Sequence, residues 1–158
     1  MPSNQRLIDP INRAMLGELQ RDGRISLAEL ARRLHISAPT VAERLQRLES
    51  EGVIRGYRAD VDPVAAGFAL SAIIRVRPAP RQLHKVVGLV QGMPEVVECY
   101  RITGEDCFLI KAHVRGVSHL EELIDQLAAY GQTTTSIIQS YPVPARGVEI
   151  PAGREPPR

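Results

Sequence analysis

Between Ser37 and Ile54 an apolar residue recurs at every third or fourth position, while Thr40, Glu43, Arg44 and Arg47 fall on the other side. That is the periodicity of an amphipathic helix. Two similar stretches precede it. Asp9-Pro10 predicts a helix start, because the carboxylate caps free amides and proline at the first position forfeits no hydrogen bond. Ile11, Met15, Leu16 and Leu19 then share one face, and Asp22-Gly23 predicts a stop through a left-handed glycine. In SLAELARRL, Ser26 and Glu29 have capping-box spacing, with Leu27, Leu30, Ala31 and Leu34 on one side. Only Leu34-His35-Ile36 separates this short helix from Ser37, which caps the third, and Pro39 fits a first turn whose amides are unpaired. Two helices joined so tightly form a helix-turn-helix. Val41, Leu45 and Leu48 anchor the third helix inward, which turns Pro39, Thr40, Glu43, Arg44 and Arg47 outward or sideways. After Glu51-Gly52, VIRGYRADVDP alternates around Gly56 and predicts a small two-stranded wing bearing Arg55 and Arg58.

A second pattern follows Pro63 and Gly67. Residues 69–78 read as a strand, 80–93 as an amphipathic helix, 95–103 and 107–116 as strands joined by a tight TGED turn. Residues 117–131 form a helix capped by Ser118 with Glu121 in its first turn, and 133–143 a last strand. The order βαββαβ predicts a ferredoxin-like antiparallel sheet with two helices on one face. Ile73, Ile74, Val76, Leu109 and Ile110 put apolar groups on both faces, so a second subunit is expected over the face the helices leave bare. The fold class is α+β: a winged helix-turn-helix over 1–61, a linker at 62–68, a ferredoxin-like domain over 69–143, and a tail at 144–158. Val148-Glu149-Ile150 offers one edge strand, and the last residues, rich in Pro and Arg, are expected to be disordered.

Composition narrows the function classes. An apolar content of 44% with 24% charged residues suits a globular protein. No apolar run reaches the roughly 18–20 residues of a membrane span, and MPSNQRLIDP lacks the pattern of a secretory signal, so a cytoplasmic protein is expected. The net charge is +2, and the excess lies in residues 1–60, with ten arginines against eight acidic residues. Cys99 and Cys107 fit neither a disulfide framework nor a metal knuckle, and the four histidines have no ligand spacing with them. No Ser/His/Asp or Cys/His set and no phosphate-cradling loop is present, so neither catalysis nor a cofactor is expected. A helix presented on a tight three-helix scaffold, followed by a basic wing, fits a DNA major groove about 12 Å wide. That groove is inaccessible in an RNA duplex.

These motifs carry a resemblance. The stretch from LIDPINRAMLGELQRDGRIS through the run R-L-x-x-L-E-x-x-G-V-I-x-G-Y, from Arg44 to Tyr57, resembles the amino-terminal module of the Lrp/AsnC, or feast/famine, transcriptional regulators. VVECYRITGEDCFLIKAHV and TTTSIIQS resemble the RAM/ACT-like effector domain of that family, and the likeness spans residues 7–143. It implies dimers that assemble further into octamers, cooperative binding to double-stranded DNA, and an amino-acid effector held between subunits. Carried over by position, the effector residues are Tyr100, Thr103, Gly104, Glu105, Asp106, Thr133 and Thr135. A glycine allows close backbone approach, an acid receives an ammonium group, and threonine hydroxyls bind a carboxylate. Two positions depart from the family pattern. Many relatives read Gly-x-x-Asp where this chain has Gly104-Glu105-Asp106-Cys107, and many have Gly where His35 stands, so a left-handed, strained backbone is expected there.

For the DNA face the expected residues are Ser37, Pro39, Thr40, Glu43, Arg44 and Arg47, with Arg55 or Arg58 on phosphates. Arg47 is the candidate for guanine, and Arg44 has an alternative structural role paired with Glu51 or Asp22. A competing reading is an architectural DNA-binding protein that displays many helix-turn-helix pairs and senses no small molecule.

Overall fold

A computed structural model describes residues 7–151, and these divide into two compact units. One unit holds the residues up to Ala59 together with those from Pro144; the other is Asp60–Val143. In the first unit α1 (Pro10–Arg21), α2 (Leu27–Leu34) and α3 (Ala38–Ser50) surround Met15, Leu16, Leu30, Ala31, Val41 and Leu48. The caps follow the local chemistry. Asp9 Oδ1 accepts the Asn12 amide at 2.7 Å, Ser26 Oγ that of Glu29 at 3.1 Å, and Ser37 Oγ that of Thr40 at 3.3 Å.

Several details differ from the sequence reading. The capping box is half made: the Glu29 carboxylate turns to Arg32 and Arg33, whose hydrogen bonds pull its carboxyl down to about 2. α1 stops at an extended Asp22, whose side chain accepts the Arg24 amide at 2.9 Å. Gly23 is not the left-handed residue; it lies beside the Tyr57 ring. His35 does adopt the left-handed conformation, φ 55° and ψ 39°, closing α2.

The wing has no strand ladder. Residues 55–62 form neither helix nor strand, and Tyr57 ties them down instead, its hydroxyl donating to Glu49 at 3.0 Å. Burial, then the Glu49 carboxylate, raises that phenol to about 12, so it stays a proton donor at neutral pH.

The second unit runs β1 (Leu70–Pro78), α4 (Leu83–Gln91), β2 (Val96–Arg101), β3 (Phe108–Val114), α5 (Val117–Ala128) and β4 (Gly131–Ile137). Its antiparallel sheet has the order β2-β3-β1-β4, the ferredoxin-like arrangement. α5 starts one residue before Ser118, with Gly116 as its cap residue and no side-chain cap, and Glu121 falls beyond its first turn. Gly131 is required by packing, since a β-carbon there would overlap the Arg77 carbonyl at the end of β1. Register partners share a face. Ala72, Ile74 and Val76 with Phe108, Ile110 and Ala112 therefore face Val86, Val90, Leu120, Leu123 and Leu127 of the helices. The opposite face is largely polar. Ser71, Arg75, Arg77, Lys111 and His113 surround the partly buried Ile73 and Leu109, and the Tyr141 ring lies 5.3 Å from Lys111 Nζ.

The segment 148–150 forms no edge strand; it returns to the helical unit, where Ile150 packs against the core. The expected disorder of the last residues falls at 152–158, outside the described residues.

Candidate functional site

The outward side of α3 carries the first candidate site. Pro39, Glu43 and Arg47 lie four residues apart and are exposed on one stripe, which Gln46, three after Glu43, extends. Among the described residues Glu43, Arg47, Arg55 and Arg58 form no ion pair. Ser37 and Thr40 belong to the helix start: their hydroxyls lie 2.7 Å apart and Thr40 is half-buried. Arg44 is engaged internally. Its guanidinium donates to Asp9 Oδ2 at 2.6 Å and to Asn12 Oδ1 at 2.9 Å, and the buried Asn12 amide group in turn donates to the Leu7 carbonyl at 2.7 Å. Its partners are thus at the start of α1, not Glu51 or Asp22. Burial pushes the Asp9 carboxyl up, but the Asn12 amide and Arg44 together hold it below the usual range. The cations of α3 are thus split between two tasks: Arg44 fastens α3 to α1, and Arg47, exposed at the surface, makes no ion pair among the described residues.

The second candidate site is the turn between β2 and β3. Thr103, Gly104 and Glu105 are exposed, and Gly104 has φ 115°, a conformation glycine adopts without strain. The acids are not free. Arg77 donates to both the carbonyl (3.2 Å) and the carboxylate of Glu105, and Arg75 lies 3.5 Å from Asp106 Oδ2. Cys107 packs against the apolar core, and its amide donates to the Val76 carbonyl at 3.0 Å. A thiol suits that half-buried place, which leaves Asp106 as the turn acid next to β3.

The remaining expected residues are divided between the two faces. Thr133 and Thr135 pair with Val76 and Ile74 and so lie on the helix-covered face. Tyr100 pairs with Leu109 on the other face, at the opposite edge of the sheet, and its hydroxyl donates to Glu98. One chain thus joins Thr103–Asp106 to Arg75 and Arg77 and does not bring Tyr100 to the threonines. The sequence reading missed the two arginines. Their alternation with Ile74 and Val76 along β1 was the available signal.

Residues 8–55 match the family model for winged helix-turn-helix DNA-binding, and residues 71–148 match that of the Lrp/AsnC ligand binding domain. Over 133 residues the chain is 32% identical to the HTH-type transcriptional regulator LrpC of Bacillus subtilis, spanning 84% of this chain and 92% of that protein. The chain belongs to the Lrp/AsnC family. It is a helix-turn-helix transcriptional regulator, and its relatives carry the names of regulators, not enzymes.

Solved Lrp/AsnC structures share the fold. The feast or famine regulatory protein Rv3291c from M. tuberculosis, complexed with L-methionine, covers 90% of this chain and 99% of its own, with TM-score 0.85 and 33% identity. The Neisseria meningitidis regulator NMB0573, in complex with L-Met, covers 91% and 96% with TM-score 0.82 and 25% identity. Among the described residues of this Lrp/AsnC chain no helix is long and apolar enough to cross a membrane.

Proposed function

We propose that this Lrp/AsnC regulator reads specific duplex sequences with the stripe Pro39, Thr40, Glu43, Gln46 and Arg47 of α3. Ser37 sets the start of the helix, and Arg55 and Arg58 hold phosphates. Arg44 serves the same surface from behind by fixing α3 to α1. The observation that carries this reading is Arg47: an exposed guanidinium without an ion pair among the described residues, on a helix whose inner side is fully buried at Val41 and Leu48. A bidentate arginine–guanine pair is worth about 1–3 kcal/mol of discrimination, whereas phosphate contacts position without specifying. A preferred site selected from a random duplex pool supplies the test. Arg47→Ala narrows the affinity gap between that site and scrambled DNA by about tenfold or more, while Arg58→Ala weakens both equally. Equal losses on both duplexes from both variants would defeat the assignment.

The effector is an amino acid bound in the cytoplasm between subunits of a dimer or octamer. Gly104 and the acids of the turn receive its ammonium group, and Tyr100, Thr103, Thr133 and Thr135 are contributed from more than one chain. Two relatives with bound methionine and the split of these residues across the sheet support assembly of the pocket from several copies. Effector binding shifts how dimers pack and hence how many DNA sites engage together. A second reading, an architectural DNA-coating protein without an effector, is favoured by one observation: Glu105 and Asp106 are already neutralised by Arg77 and Arg75. Calorimetric titration with the twenty amino acids separates the two. Heat from one or a few of them, altering DNA affinity, supports sensing; a flat response across all twenty leaves the architectural reading.

A further inference from the structure

The chain passes between its two units twice, because the residues from Pro144 fold with the three helices and not with the sheet they follow. Three features hold this returning segment on the helical unit. Gln20 Nε2 of α1 donates to the Val148 carbonyl at 3.1 Å, although the Val148 side chain points to solvent and is 76% exposed. Two residues on, Ile150 is half-buried and packs against the cluster of Met15, Leu16, Val41 and Leu48. Gly147 lies so near α1 that a β-carbon there would overlap the Gln20 side chain. A side-chain hydrogen bond to the backbone, an apolar anchor and a close approach to the Gln20 side chain along one short stretch are the marks of a docked strand of chain, since a loose tail orders none of them.

We propose that the segment Ala145–Ile150 is a strap that completes the DNA-binding unit and positions its recognition helix through α1. The strap grips the C-terminal half of α1 at Gln20, and Asp9 and Asn12 at the N-terminal end of α1 hold Arg44 of α3. α1 is therefore clamped between a segment that continues from β4 and the helix that carries Arg47. The chain enters the DNA-binding unit from both ends of the Asp60–Val143 unit, so that unit holds it by two covalent tethers where the order of domains along the sequence shows one.

The full-length chain with Ile150→Asp tests this. A half-buried aliphatic group replaced by a charge frees the strap, and loss of roughly half an isoleucine's burial corresponds to about a tenfold change in an opening equilibrium. Hydrogen exchange of α1 amides is expected to accelerate about tenfold while β3 amides keep their protection. Affinity for a random-sequence 40-base-pair duplex at low salt is expected to fall by a similar factor. Gly147→Val is expected to act in the same direction by pushing Gln20 aside, and Ile150→Val to restore both readouts. Unchanged α1 exchange in Ile150→Asp and Gly147→Val overturns the strap. Accelerated exchange with undiminished duplex affinity overturns its positioning role. Neither readout depends on an effector, so the outcome stands apart from that of the amino-acid titration.

Discussion

Asp9 performs two tasks with its two oxygens: Oδ1 caps α1 through the Asn12 amide, and Oδ2 receives Arg44. The cap was legible, because Asp before Pro at the head of an apolar-periodic stretch has a local cause. The Arg44 pairing was half legible. A structural partner was foreseen as one alternative, but Glu51 and Asp22 were named, and nothing in the local sequence points from position 44 to positions 9 and 12. The pair has a pH signature. Its folded carboxyl titrates below the usual value of 3.8, so its contribution is fully present above that value and is lost as pH falls through the lower folded one. Asp9→Asn is expected to retain the cap and flatten this acid-side loss of stability, read from urea midpoints between about pH 5 and 2. The pair is partly solvated, so screening keeps its own share below about 1 kcal/mol. Arg44→Ala is expected to weaken DNA binding in proportion to its loss of stability, as a fastening residue does. A large binding loss at unchanged stability would instead place Arg44 on the DNA.

Elements followed the sequence where their causes are local. The three helices of the DNA-binding unit, their caps at Asp9, Ser26 and Ser37, and the βαββαβ order all derive from spacing and capping chemistry within a few residues. The failures lie at boundaries and at the wing. Alternation around Gly56 looked like a hairpin, yet a ladder needs a partner strand at the right distance, and Tyr57 instead ties the segment to Glu49. Ser118 had the right chemistry for a cap but lies inside α5. His35 is the reverse case. Its left-handed backbone was expected from its place in the turn and is present at φ 55°. His35→Gly removes the steric cost of a β-carbon in that conformation, and its thermal midpoint is expected to rise by the equivalent of about 0.5–1 kcal/mol. The gain is reduced by glycine's greater freedom in the unfolded chain, and a lowered midpoint would mean that the histidine ring contributes packing.

At the scale of the whole molecule, the sheet face away from α4 and α5 offers apolar surface around Ile73, Leu109 and the exposed Tyr100, while Arg75, Arg77, Lys111 and His113 tolerate water. A second copy placed there makes a mixed contact with a small apolar centre, the kind a single charge disrupts. Sedimentation velocity is expected to show dimers or larger assemblies of the native chain, shifted toward monomer by Ile73→Asp. A native chain that sediments as a monomer at every concentration would remove the cover. The proposed effector residues belong to the same scale: Tyr100 and Thr133 stand on opposite faces and edges of one sheet, which no linear spacing reveals. By itself the sequence determined that three helices precede a βαββαβ sheet, where the helices of the DNA-binding unit begin, and which side of α3 is polar, since 3.6-residue and two-residue periodicities and capping are short-range effects. Only the tertiary structure decided that Arg44 serves α1, that Arg75 and Arg77 occupy the acids of the turn, and that the tail returns to the helices. Each of these joins residues tens of positions apart, through contacts that exist only once the chain has folded.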